Sequence, residues 1–81
     1  MTRAKFQELY SLADRIFDGD TDRVKVIVEH LDDAMIRTFM QERFGPDDFN
    51  QAKIVLFAYL NYGRDATKAW RALNSDLELS A

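Results

Sequence analysis

The sequence predicts an all-α fold, a compact bundle of four or five short helices in a single domain, and three observations lead there. Apolar residues recur at offsets of three and four along each long segment. All 3 Gly and the 1 Pro fall inside short turn clusters between those segments. The one run that reads as a strand, Val24 to Val28, has no second strand to pair with.

The turn clusters are Asp18-Gly19-Asp20-Thr21-Asp22, Asp32-Asp33, Gly45-Pro46-Asp47-Asp48 and Gly63-Arg64-Asp65. Each joins turn formers to side chains whose oxygens can accept from the free N–H groups of a first helical turn. No repeat, linker or low-complexity tract interrupts the pattern, so residues 1–81 form one domain.

The first helix is expected from about Thr2 to Phe17. Phe6, Leu9, Tyr10, Ala13, Ile16 and Phe17 make one face of a 3.6-residue period, Thr2 caps the start and Gly19 marks the end. From Thr21 to Phe44 a stripe of Val24, Ile27, Val28, Leu31, Ala34, Met35, Thr38 and Phe39 fits one long helix. It equally fits two helices broken near Asp32-Asp33, with an aspartate capping the second. Gly45 suits the residue after a helix and Pro46 cannot continue one, so a further helix starts at Asp47 or Asp48 and runs to about Tyr62. Every residue from Ile54 to Leu60 is apolar, which marks this helix as the centre of the fold or half of an interface. Asp65 then caps a last helix over 66–74, and residues 75–81 are expected to fray.

Composition excludes several function classes. With 11 Lys and Arg against 14 Asp and Glu the chain carries a net −3, so no general basic footprint for nucleic acid or anionic lipid is present. Zero Cys and one His exclude a disulfide framework, a structural zinc and a catalytic thiol. No signal-peptide pattern opens the chain, and its apolar runs fall far short of the roughly 20 residues a membrane span needs. The expectation is a cytoplasmic protein without membrane contact. Starting at Met1 and consisting of one acidic domain, it suits a stand-alone modulator of the kind phage and plasmid genomes often encode.

The carboxylates have structural explanations. Asp18, Asp20 and Asp22 alternate as in a calcium loop, but the match is poor: counting from Asp18 the sixth position, which needs Gly, holds Arg23, and the twelfth holds Glu29. Asp32-Asp33 and Asp47-Asp48 sit at expected helix N-termini, where negative charge is favourable. His30 follows Glu29 at the edge of the apolar stripe, as a partly exposed helix residue does. No activated nucleophile, phosphate loop or metal motif accompanies these groups. The protein is therefore expected to be no enzyme and to need neither cofactor nor metal.

Local charge departs from the global value. The net −3 lies entirely in residues 1–33. In the last helix Arg64, Lys68 and Arg71 share one face at offsets of four and three, opposite the apolar Ala66, Ala69, Trp70 and Leu73. A helix, a tight turn and a short basic helix outline a helix-turn-helix, with Thr67, Lys68, Arg71 and Asn74 as potential base and phosphate contacts. The segment from Tyr59 to Ala69 resembles the DNA-binding module of phage terminase small subunits, where Asn-Ala-Thr opens the second helix and Asp65 here replaces the Asn. The resemblance covers about a dozen residues and implies a DNA-binding regulator using helix 66–74.

A second reading rests on aromatic content. Phe44, Phe49, Phe57, Tyr59, Tyr62 and Trp70 crowd the second half of a chain too small to cover all of them, and Tyr, Trp, Arg and Met are residue types enriched at protein interfaces. This favours a small regulator, inhibitor or adaptor that binds another protein or forms a homodimer. Tyr62, Arg64, Lys68, Arg71 and Asn74 are its candidate contact residues, and DNA is the weaker alternative partner.

Overall fold

Most of the helices begin where a short polar side chain accepts from their first free N–H groups. In the computed structural model, which describes the backbone of residues 1–80 and the side chains of residues 1–74, Thr2 accepts from the Lys5 N–H at 3.1 Å and opens α1 (Arg3–Phe17). Asp20 accepts from the Arg23 N–H and opens α2 (Thr21–Glu29). Asp33 accepts from the N–H groups of Met35 and Ile36 and opens α3 (Ala34–Phe44). A 3-10 turn over Pro46–Asp48 leads into α4 (Phe49–Tyr62), and Asp65 accepts from the Lys68 N–H at the start of α5 (Ala66–Ser80). No strand occurs among the described residues.

The Asp32-Asp33 pair thus divides residues 21–44 into two helices, and the division changes which residues face inward. A single stripe through Ala34, Met35 and Thr38 assumes an unbroken helical phase. After the turn at residues 30–33 the phase restarts, and α3 turns Ile36, Met40 and Phe44 inward instead. Ala34 and Thr38 lie exposed and Met35 is 82% exposed.

The last helix also differs from its expected extent. It runs to Ser80 rather than ending near Asn74, because no Gly or Pro follows Asn74 to stop it. The fraying expected of residues 75–81 concerns side chains and a terminus outside the described residues.

The core collects Phe6, Leu9, Tyr10, Ala13 and Phe17 from α1 and Ala52, Val55, Leu56 and Tyr59 from α4. Val24 and Ile27 of α2, Met40 and Phe44 of α3 and Ala69 of α5 close it. α4 packs against α1, α2, α3 and α5, which makes it the hub of the bundle. Its apolar run nevertheless has an outer face, with Ile54 44% and Phe57 48% exposed. Aromatic rings knit the far ends together: Phe6 stacks at 5.3 Å from Tyr10 and 5.1 Å from Trp70, and Tyr10 lies 5.4 Å from Tyr59. The Cα radius of gyration of 12.2 Å is close to the ~12 Å expected of one packed unit of this length. Among the described residues no helix is long and apolar enough to cross a membrane.

Candidate interaction surfaces

The basic face read from the last helix is built from residues with different duties. Arg64 leaves the turn before α5 and reaches back to α1, where its Nε donates to Asp14 Oδ1 at 2.9 Å and its Nη2 to Asp18 Oδ1. The same Asp14 oxygen accepts from the Tyr59 hydroxyl at 2.7 Å, and that hydroxyl accepts from the Gly19 N–H at 2.9 Å. The Tyr10 hydroxyl donates to the Gly63 carbonyl at 2.6 Å. These bonds tie the α1–α2 turn to the α4–α5 turn. Gly19, at φ +82°, belongs here because a Cβ would stand 3.4 Å from the Arg64 guanidinium as well as straining the backbone.

Electrostatics follow from this packing. Burial pushes the Tyr10 phenol well above its ordinary value, and the neighbouring Tyr59, Asp65 and Asp14 add to the shift. Burial, then donation to Asp14, also raises the Tyr59 pKa. Hydrogen bonding to Tyr59, Asp18 and Asp14 holds Arg64 firmly in its charged form.

The remaining residues of that face are disposed as follows. Lys68 and Arg71 are exposed, as is Thr67. The Asn74 side chain donates to the Trp70 carbonyl at 3.1 Å, capping its own helix turn. Tyr62 is half-buried and turns toward the cleft between α4 and α5, beside Ile54, Phe57 and Leu73. Arg64 is therefore drawn toward α1 and away from a shared strip with Lys68 and Arg71.

Other polar residues act structurally. Asp18 takes the left-handed conformation that ends α1, and Asp20 and Asp33 are helix caps. Asp48 pairs with Lys5 at 2.8 Å, fastening the start of α1 to the turn before α4, and this pairing raises the lysine pKa. His30 is exposed at the end of α2, with Nδ1 2.7 Å from the Val26 carbonyl, a spacing that suits donation by an Nδ1–H tautomer. Among the described residues no three His, Asp or Glu side chains converge as metal ligands would.

Two further surfaces are apolar; sequence reasoning missed the first and touched the second only through Tyr62 and the apolar run from Ile54 to Leu60. Between α2 and α3 lies an open groove lined by Arg23, Val26, Ile27, Met35, Ile36 and Phe39. Val26 is 55% exposed, on the outward side of the β-branched run. A second cleft lies between α4 and α5, where Ile54 and Phe57 flank Ala58, Ala72 and Leu73. The first was detectable once the break at Asp32-Asp33 was granted, since Ile36, Met40 and Phe44 at offsets of four form an alternative inward stripe that leaves Met35 outside. The second was signalled by the run from Ile54 to Leu60 and by Tyr62 but not by its outward face, because an all-apolar run hides which face a helix will bury.

The chain matches no family model, no curated protein and no solved structure in the comparisons made with them. The likeness of residues 59–69 to the terminase module rests on those residues alone.

Proposed function

We propose that the protein is a small non-catalytic interaction module, a regulator, inhibitor or adaptor that docks on another protein through apolar side chains of its helix pairs. One observation carries the reading: Val26, Met35, Ile54 and Phe57 remain largely outside although the core is filled without them. Leaving such side chains wet forgoes a part of the ~1.5–3 kcal/mol that full burial of each is worth, a gain a partner would recover on binding. They fall into two groups, each continuous with half-buried apolar neighbours, which is how interface cores are composed.

DNA binding through Lys68 and Arg71 is the competing reading. It is weakened by the pairing of Arg64 with Asp14 and Asp18 and by the acidic charge of residues 1–33. A fluorescence-anisotropy titration on mixed-sequence duplex at ~50 mM salt, where non-specific binding is strongest, separates the two. The expected result is no binding. Micromolar binding abolished by Lys68→Ala with Arg71→Ala would reverse the ranking.

A further inference from the structure

How docking through the apolar surfaces is controlled is a separate matter, and the placement of the methionines bears on it. We propose that Met35 is an oxidation-sensitive switch in the groove between α2 and α3: a peroxide converts its thioether to the sulfoxide, which makes the groove wall polar while the fold stays intact. The effect on docking rests on the interaction reading and adds a regulation to it.

The 3 methionines stand in three different settings. Met35 is 82% exposed, Met1 is 42% exposed and Met40 is completely buried. Met35 borders solvent on two sides, since it lines both the groove and the outer depression of α3 beside Ala34 and Thr38. Met40 is sealed among core residues, where a peroxide meets it only when the chain opens. Met1 precedes α1 and lines neither recess. Oxidation of the folded chain thus falls on the groove and spares the core.

The reaction balances with hydrogen peroxide as its one co-reactant. A sulfur lone pair attacks one peroxide oxygen and the O–O bond breaks. The other oxygen leaves as hydroxide and takes the proton of the transferred hydroxyl, forming water. The sulfur is oxidised by two electrons and the peroxide is reduced by two.

The product changes what the groove accepts. A flexible apolar side chain becomes a polar one, and its oxygen resists transfer to an apolar interface that offers no donor. Val26, Ile27, Ile36 and Phe39 share the groove and have no side-chain donor; Arg23 has one. An apolar partner residue packed on the thioether loses that contact, because the oxygen stays with water or with Arg23. The bundle does not register the change, since α3 turns Ile36, Met40 and Phe44 inward. Enzymes that reduce methionine sulfoxide reverse the step, which makes the site a switch and not only a lesion.

The test begins with the purified full chain in dilute hydrogen peroxide. Trypsin leaves the methionines in separate peptides, residues 1–3, 26–37 and 38–43, so mass spectrometry follows each one. Peptide 26–37 is expected to gain one oxygen at least ~10-fold faster than peptide 38–43, and the thermal midpoint of the Met35 sulfoxide protein should move by less than ~2 °C. Docking is then read in cells that express the protein naturally, with a photoreactive phenylalanine analogue at position 26, in the groove, or at position 57, in the other cleft. Brief peroxide treatment should cut the protein adduct at position 26 at least ~5-fold and spare the adduct at position 57. Met35→Leu should keep the position-26 adduct through the same treatment, and Met35→Gln should lose it without peroxide. Oxidation of Met40 as fast as Met35, unfolding of the Met35 sulfoxide protein, or a position-26 adduct that survives peroxide overturns the inference. So does an adduct lost equally with Met35→Leu. An adduct at position 57 with none at position 26 overturns it and leaves the interaction reading standing, whereas no adduct at either position overturns both.

Discussion

Tyr59 places one hydroxyl between three parts of the chain, donating to Asp14 and accepting from the Gly19 N–H. Tyr59→Phe keeps the ring in the core and removes only those bonds, leaving the Gly19 N–H short of its partner. The expected loss is about 1–3 kcal/mol in a urea titration. Asp18→Asn removes an exposed partner of Arg64 and should cost less than ~1 kcal/mol. The tyrosines also fix an alkaline limit. Because the folded-state pKa of Tyr10 and of Tyr59 lies above the ordinary 10.0, folding favours the protonated phenols. Their contribution is complete below about pH 10 and is lost as pH rises through the folded values. The urea midpoint should therefore hold up to about pH 10 and fall progressively as pH rises above it, and Tyr10→Phe should flatten that fall. At this scale the caps Thr2, Asp33 and Asp65 were legible in the sequence because each acts within three residues of itself. The bonds of Asp14, Tyr59 and Arg64 were not, since they join residues separated by 45 and 50 positions and no local rule connects them.

Among the elements, α4 and α3 test the account in opposite directions. The all-apolar stretch of α4 buries Val55, Leu56 and Tyr59 completely and leaves Ile54 and Phe57 half exposed. Leu56→Ala should cost about 2–5 kcal/mol, whereas a Phe57→Ala change should cost well under half of that, because little of a partly wet ring is lost from the core. The sequence marked this helix as central without telling its two faces apart. For α3 the helix itself was legible and its orientation was not, since the turn at residues 30–33 resets the helical phase that a continuous stripe assumes. The cap at Asp33 makes that break, so Asp33→Ala should destabilise by about 1 kcal/mol. Met35→Ser should change stability by less than ~0.5 kcal/mol, as expected of a side chain that is 82% exposed. Equal thermal melts for Met35→Ser and Leu56→Ala would contradict the assigned faces.

For the whole molecule, the all-helical bundle followed from apolar period and turn chemistry, both of which act over a few residues. What the surface is for was less legible, because exposure is decided by how helices distant in sequence pack. As proposed, the molecule is a docking module whose wet apolar side chains await a partner other than itself. A melting temperature independent of concentration from about 10 to about 300 μM is then expected for the purified chain. The most direct measurement is site-specific photo-crosslinking in cells that express the protein naturally, with a photoreactive phenylalanine analogue at Met35, at Phe57 or at the exposed polar control Arg15. The account predicts a discrete protein adduct from position 35 or 57 and none from position 15. Adducts of equal yield from all three positions, or adducts to DNA alone, would contradict it.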